Sequence, residues 1–154
     1  MNRILASTVL GVAALGFAST ALADLKPEEQ IQFRQAGYSF MSWNMGKIKS
    51  NLEGDYDSAQ VAAAANAIAG IANSGMGALY GPGTEKDVGN VKTRVKPEFF
   101  ENMENVGTIA KNFIAAADNL SKVAATGDQV EVSNAFGKLG ETCKACHDEY
   151  RMKD

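Results

Sequence analysis

Apolar residues recur along the chain with the spacing of a helix rather than of a strand. One set repeats every seven residues from Ile31 to Leu52, and a second set is offset from it by three. Such a repeat lies on one face of an α-helix, because two helical turns take about seven residues. Pro27 and Gly54 supply start and stop signals on either side. The pattern therefore predicts a first helix between them.

Three further segments carry the same pattern together with capping signals. Asp57 precedes the second segment, which is rich in alanine and runs to Gly75, and Asp128 precedes the fourth. An aspartate at such a position accepts hydrogen bonds from the first free backbone amides of a helix. Between them, an uninterrupted heptad that begins at Pro97 and stops before Gly127 predicts one continuous third helix.

The connections between these helices predict the fold class. The joins at residues 53–56 and 126–128 are short, and short joins make successive helices antiparallel. We predict an all-α fold, an antiparallel up-down-up-down four-helix bundle formed by residues 24–154. The one long connection, from about 75 to 96, exceeds ordinary loop lengths, so we expect it to wrap something rather than merely to join two helices.

The first 23 residues have the pattern of an export signal. Arg3 gives a positive start, an apolar run extends from Ile4 to Phe17, and small residues precede a cleavage point after Ala23. The run is too short to span a membrane well, which leaves an uncleaved anchor as the weaker alternative. We expect a signal peptide of residues 1–23 and a mature protein that is not bound to a membrane.

Composition excludes several classes of protein. Hydrophobic residues make up 45% and charged residues 21% of the 154, which fits a globular domain and not a disordered chain. The formal net charge is −3, so nothing indicates nucleic-acid binding.

The residues with distinctive chemistry lie near the C-terminus. Cys143-Lys144-Ala145-Cys146-His147 has the C-x-x-C-H spacing at which haem is covalently attached. The two thiols can bond to the vinyl groups of haem while the adjacent imidazole reaches the iron. We predict one haem c per chain, held by Cys143 and Cys146, with His147 as the metal ligand.

Three other uses of this motif fit less well. A structural zinc site needs four ligands, and the chain has only two cysteines and one histidine, so a carboxylate would have to complete it. A thioredoxin-like C-x-x-C belongs to a βαβ setting, which the pattern does not predict. A disulfide within the motif would close a very small loop and constrain little, although an oxidising compartment permits one.

The other axial side of the iron has no second histidine available. Two candidates lie on one face of the first helix, Tyr38 and Met41. Tyr38 has three interpretations, namely a core aromatic, an iron ligand, or a gate over a vacant site. Met41 as sixth ligand would give a low-spin electron carrier, whereas core packing is the commoner role of such a methionine.

Basic residues indicate where the haem propionates lie. Arg34 occupies an inward position of the first helix, which is costly unless it meets an anion, the alternative being a side chain that extends to water. Arg94, with Thr93, is a second propionate candidate, and a solvated loop charge is its alternative. Arg151, one turn after His147, is either a cation that influences the imidazole or a simple helix-end charge.

These features together resemble the cytochromes c′ across essentially the whole mature chain. The resemblance rests on Lys26-Pro27-Glu28, on Arg34-Gln35 followed by Tyr38, on Gly81-Pro82-Gly83-Thr84, on the C-x-x-C-H segment, and on Tyr150-Arg151. It implies a periplasmic, usually dimeric haem protein with five-coordinate iron that binds nitric oxide or carbon monoxide and takes part in electron transfer. It places Arg34 and Gln35 near the propionates, Tyr38 on the distal face and Arg151 on the proximal side.

Phe33 and Phe40 lie roughly opposite the inward face of the first helix, so this helix is aromatic on two faces. Because the resembled family dimerises through this helix, we predict a homodimer through the Phe33 and Phe40 face. A ligand that displaces Tyr38 would strain the same helix and loosen the dimer. An unidentified redox partner is also expected.

We expect no enzyme activity. A nitric-oxide-consuming haem enzyme would need a distal acid–base group, and after His147 no histidine remains to serve as one.

Overall fold

Within residues 25–153, the part of the chain that the computed structural model describes, the backbone forms four long α-helices and a short one. They are α1 (Pro27–Glu53), α2 (Ser58–Ala72), α3 (Glu98–Glu101), α4 (Met103–Ala124) and α5 (Gln129–Tyr150). Helix α1 packs on α2, α2 on α4 and α4 on α5, whereas α1 and α5 touch only slightly. The predicted all-α four-helix bundle is confirmed, and the predicted signal peptide lies outside the described residues.

The two predicted aspartate caps are present. The Asp57 Oδ1 accepts hydrogen bonds from the amides of Ala59 and Gln60 at 2.9 and 3.1 Å. The Asp128 Oδ1 accepts from the amides two and three residues further on, at 2.9 and 3.0 Å. Each carboxylate thus satisfies backbone donors that the first helical turn leaves without a partner. These hydrogen bonds fix where α2 and α5 begin, directly after the two short joins.

The prediction of one continuous third helix is wrong. The backbone leaves the helical region at Asn102, with φ −117° and ψ 45°, and this residue separates α3 from α4. The Asn102 side chain donates to the carbonyl of Glu98 at 3.0 Å, and a short amide side chain that bonds locally competes with helical hydrogen bonding. Met103 therefore begins a new helix and is 54% exposed instead of lying in the core.

The apolar core fills the half of the bundle that holds the two short joins. It is formed by the second half of α1, by α2, by the second half of α4 and by the first half of α5. Its largest fully buried side chains are Ile48, Val61, Ile68, Leu120, Val132 and Leu139. Met41 belongs to the same core and is 5% exposed. Since burying one large aliphatic side chain contributes about 1.5–3 kcal/mol, this half carries most of the hydrophobic stabilisation.

The long connection, residues 73–97, lies at the other half of the bundle. It begins with a 3₁₀ helix (Met76–Leu79) that contacts α1. A turn follows at Gly83, whose φ of 89° lies in the left-handed region that only glycine adopts without strain. Adding a side chain there would also bring a Cβ within 3.0 Å of the Pro27 ring at the start of α1. The connection is therefore folded against the bundle rather than extended into solvent.

The last part of this connection pairs with the end of α5. The Lys96 amide donates to the carbonyl of Tyr150 at 2.9 Å, and the Met152 amide donates to the carbonyl of Arg94 at 2.8 Å. Val95 and Arg151 form the antiparallel bridge between these two bonds. The end of the bundle that contains the C-x-x-C-H segment is thus enclosed by the connection. No helix in residues 25–153 is long and apolar enough to cross a membrane.

Candidate haem site

The two cysteines and the histidine lie on the last turns of α5. Cys143 and Cys146 are half-buried free thiols, three residues apart on one face of the helix. Burial raises the pKa of both thiols, and for Cys146 the neighbouring Cys143 raises it further. Partial burial lowers the pKa of His147, and the positive charge of Arg151 adds to the effect. The imidazole is therefore kept in the neutral form, which is the form that binds a metal.

Tyr38 faces these residues from α1. Its side chain is 43% exposed, and its hydroxyl accepts a hydrogen bond of 3.3 Å from the hydroxyl of Tyr80. Burial of the phenol raises the pKa of Tyr38, the bond from Tyr80 opposes this effect, and the nearby Cys146 adds to it. Tyr38 therefore lies near the C-x-x-C-H segment across the space between α1 and α5, and its position on the distal face of a haem stays a prediction.

Arg34 is 2% exposed, so the alternative in which its side chain extends to water is wrong. Its guanidinium donates to the carbonyl of Leu79 at 3.1 Å, to the carbonyl of Thr84 at 2.8 Å and to the hydroxyl of Thr93 at 2.8 Å. Burial lowers the pKa of Arg34, with the charge-stabilising effect of Tyr80 opposing it. The expected polar partners exist, but these three are neutral oxygens of the long connection. A contact with a haem propionate stays a prediction.

Other predicted site residues also hold the connection. The Gln35 amide donates to the carbonyl of Lys92 at 2.6 Å. Thr93, which is 8% exposed, donates its backbone amide to Asp87 Oδ1 at 2.8 Å. Arg94 donates to the carbonyl of Met152 at 3.2 Å, so it is attached to the chain end that follows α5. Arg34 and Gln35 of α1 therefore bind the connection at Thr93 and Lys92, and we refer to these contacts as the clamp on the connection. Arg94 lies near His147.

Tyr80 is a site residue that the sequence analysis missed. Its ring stacks on Phe99 with 4.5 Å between centroids, and the Arg34 guanidinium carbon lies 4.5 Å from the Tyr80 centroid. It follows the 3₁₀ helix and has no place in a heptad, so hydrophobic periodicity gives no sign of it. The only signal is its position directly before the Gly81-Pro82-Gly83 turn.

The residues present fit a covalently held haem. Two thiols and one neutral imidazole on a single helix provide two attachment points and one axial ligand. Large apolar side chains at this half of the bundle are incompletely covered, including Tyr38 and Met103, and they offer an apolar lining for a flat macrocycle. Residues 25–153 contain no cluster of three or more His, Cys, Asp or Glu side chains able to hold a metal ion.

The outward face of α1 exposes three large aromatic side chains. Phe33 is 55% exposed and Phe40 is 51% exposed, as their positions on the helix predict. Trp43, which the sequence analysis did not include, is 57% exposed and stacks on Phe40 with 5.4 Å between centroids. Its position three residues after Phe40 is the signal that identifies it. We refer to Phe33, Phe40 and Trp43 as the aromatic face of α1.

Comparisons with known proteins identify the family of this chain. The family model described as Cytochrome C′ matches residues 29–151. The cytochrome c′ of Allochromatium vinosum is 66% identical over 154 residues, covering 99% of this chain and 100% of the relative.

Solved structures are similar over the same region. A cytochrome c′ described as having an unusual ligand-controlled dimer dissociation superposes with a TM-score of 0.84 at 69% identity, covering 85% of this chain and 100% of that one. The cytochrome c′ of Alcaligenes xylosoxidans has been solved with carbon monoxide bound in one variant and nitric oxide in another. Each has a TM-score of 0.74, at 30% and 29% identity, and they cover 83% and 84% of this chain and 98% of their own. The bundle, the C-x-x-C-H segment and these matches along nearly the whole described chain lead to one conclusion: this chain belongs to the cytochrome c′ family of haem proteins.

Proposed function

We propose that this chain is a periplasmic haem protein that binds small diatomic gases reversibly on the side of the haem facing Tyr38, and that it also takes part in electron transfer. When bound, a haem would supply an iron able to take up a diatomic gas and to exchange one electron with a redox partner protein. Cys143 and Cys146 would hold the group covalently, and His147 would provide a nitrogen ligand to the iron. The observation that carries the proposal is Tyr38, an aromatic ring on α1 that is 43% exposed, has its pKa raised by burial and lies near enough to both thiols to have that pKa raised further by them.

Tyr38 acts as a gate in this proposal. Its ring excludes water and larger ligands by bulk, and a small neutral gas enters when the ring moves aside. Nitric oxide and carbon monoxide complexes of the Alcaligenes xylosoxidans relative support this choice of ligand. The alternative, a low-spin electron carrier with Met41 as sixth ligand, is disfavoured because Met41 lies in the apolar core and is 5% exposed.

Cations lie near the proposed iron ligand. Burial lowers the pKa of His147, the positive charges of Arg151 and Arg94 lower it further, and the carboxylate of Asp148 opposes them, which favours the neutral imidazole that a metal needs. We propose that Arg151 flanks the imidazole on the proximal side. We also propose that the protein is not an enzyme, because its single histidine is the axial ligand and leaves no imidazole as a distal acid–base group.

We propose in addition that the protein is a homodimer through the aromatic face of α1. Exposed aromatic clusters of this kind are characteristic of protein interfaces, where Trp and Phe are enriched. The relative described as having ligand-controlled dimer dissociation supports both the dimer and its response to a ligand. Tyr38 lies on the same helix as the aromatic face, so movement of its ring can affect the dimer contact.

The test is the visible absorption spectrum of the purified haem-loaded protein, oxidised and reduced, before and after carbon monoxide. We expect a high-spin spectrum that responds to the gas. A low-spin spectrum with a methionine-to-iron band and no response would instead assign Met41 as the sixth ligand.

A pair of variants tests the gate itself. Tyr38→Ala removes the ring, and we expect the association rate of carbon monoxide to rise at least about tenfold, which corresponds to about 1.4 kcal/mol of barrier. Tyr38→Phe keeps the bulk and is the matched control, for which a much smaller increase is expected. Equal rates in the wild type and in Tyr38→Ala would refute the gate.

A further inference from the structure

We propose that Tyr80 is a positioning residue that holds the ring of Tyr38 in its closed position and thereby sets how readily a diatomic gas reaches the distal side. This inference rests on the proposed gas-binding function and assigns part of its control to the long connection. The contact that motivates it joins residues 42 apart in sequence, with the Tyr80 hydroxyl donating to the Tyr38 hydroxyl at 3.3 Å.

The two partners of this hydrogen bond are held very differently. Tyr80 stacks on Phe99, which is 6% exposed, and the Arg34 guanidinium lies over its ring at 4.5 Å. Phe99 in turn makes an edge contact with Tyr150, with 5.7 Å between centroids and an interplanar angle of 87°. Tyr38 is 43% exposed, so fewer neighbours restrict its ring. The hydrogen bond from the firmly held Tyr80 therefore orients the less restricted ring of Tyr38.

The backbone around Tyr80 is also tied to α1. The Gly81 amide donates to Gln30 Oε1 at 2.9 Å, and a Cβ added at Gly81 would come within 2.8 Å of that oxygen. At the other end of the 3₁₀ helix, Met76 packs so closely on Gly37 that a Cβ there would lie 3.0 Å from the Met76 methyl. The first contact involves Gly81, which follows Tyr80 directly, and the second involves Gly37, which precedes Tyr38 directly. The two backbones therefore cannot separate easily, and opening has to occur by rotation of the Tyr38 side chain.

The hydrogen bond persists over the physiological pH range. Burial raises the pKa of Tyr80 far above its usual value, and its neighbour Tyr38 raises it further. Tyr80 is therefore a neutral hydroxyl that can donate. A long bond of this kind has a modest net strength, so the gate stays closed most of the time and still opens readily.

The central experiment is a double-mutant cycle on the haem-loaded protein, measured as the association rate of carbon monoxide. Tyr80→Phe removes only the donor hydroxyl, and we expect the rate to rise about two- to threefold, as for the loss of a hydrogen bond at the weak end of the usual range. Tyr38→Phe removes the acceptor of the same bond. The double variant is expected to be no faster than the faster single variant, because both changes break one contact. Independent, multiplying effects would overturn the proposal.

Tyr56→Phe is the matched control. Its hydroxyl is buried and has no hydrogen-bond partner among residues 25–153, and it packs against the core away from the cysteines. We expect this variant to leave the carbon monoxide rate unchanged.

A second measurement separates this inference from the proposed function. In protein with ¹³C-labelled tyrosine rings, Tyr80→Phe is expected to shift and broaden the Tyr38 ring resonances in the absence of gas, whereas Tyr56→Phe leaves them in place. If Tyr38→Ala speeds binding while Tyr80→Phe changes neither the rate nor the Tyr38 resonances, the inference fails and the gate remains. If the wild type binds no carbon monoxide, the proposed function fails, and the inference, which rests on it, fails with it.

Discussion

Replacing Arg34 by methionine tests whether the long connection depends on one buried cation. The guanidinium is 2% exposed and donates to oxygens of Leu79, Thr84 and Thr93, which are 45, 50 and 59 residues further along the chain. Methionine has similar length and no donor. The Thr84 carbonyl belongs to a residue that is 0% exposed, so the change leaves an acceptor without its partner in a place that water does not readily reach.

The expected loss of stability is about 3–5 kcal/mol. Hydrogen bonds to a charged donor contribute about 1.5–3 kcal/mol each, so adding three of them would give a larger loss of stability than this. The wild type, however, bears the cost of burying the guanidinium, which the variant avoids, so the sum is an overestimate. Each buried acceptor that loses its partner costs about 1–3 kcal/mol, and because the three partners are neutral oxygens no unpaired charge is left behind. The total is about 3–5 kcal/mol. Loss of the cation–π contact with Tyr80 is included in that range.

Urea unfolding of the haem-loaded protein, followed by circular dichroism at the helical band, measures this loss. Lys49→Met is the matched control, since the Lys49 side chain is 63% exposed and forms a surface ion pair with Glu53 at 3.7 Å. It is expected to change stability by less than about 0.5 kcal/mol. If the free energy of unfolding of Arg34→Met lies within about 1 kcal/mol of the wild-type value, the contacts of Arg34 with the connection contribute little. The reasoning about the buried acceptors is then wrong.

Three further predictions concern the caps, the phenols and the surface. Asp128→Ala is expected to lower stability by about 1 kcal/mol in thermal or urea unfolding, and Asp128→Asn to retain most of it, because an amide oxygen can still accept from the first turn of α5. Burial raises the pKa of Tyr38 and of Tyr80, so the folded state keeps protons that the unfolded chain loses above about pH 10. The stability that the protonated phenols provide is complete below that pH and is lost as pH rises further. Tyr80→Phe should therefore make the urea midpoint depend less on pH between about pH 9 and 11. Trp43→Ser is expected to shift sedimentation toward the monomer without changing the carbon monoxide spectrum, and an unaltered mass would locate the dimer contact elsewhere.

The parts of the fold that depend on nearby residues could be predicted from the sequence. The caps at Asp57 and Asp128 act over three residues, and the heptads act over two turns, so both are visible in a short window. The break at Asn102 escaped detection because the heptad continues across it, and periodicity does not register a side chain that bonds back to the carbonyl of Glu98.

The parts of the site that depend on distant residues could be predicted only in outline. An inward-facing Arg34 has to find polar partners, and it does. Their identity was not predictable, since they lie in a connection whose path is set by tertiary packing. Tyr80 had no pattern to mark it for the same reason. The C-x-x-C-H segment was recognisable because its chemistry is contained in five consecutive residues.

The pairing of residues 94–96 with residues 150–152 makes the C-terminus part of the scaffold rather than a tail. Ends of helices ordinarily fray, and exchange of their amide hydrogens is fast. Here the amides of Lys96 and Met152 bond across to the other segment at 2.9 and 2.8 Å, only a turn or so beyond His147. Slow hydrogen exchange at these two amides would show that the end is held in place. A purification tag or fusion partner joined directly after this pairing would load the segment that follows His147, so a flexible spacer should separate the two.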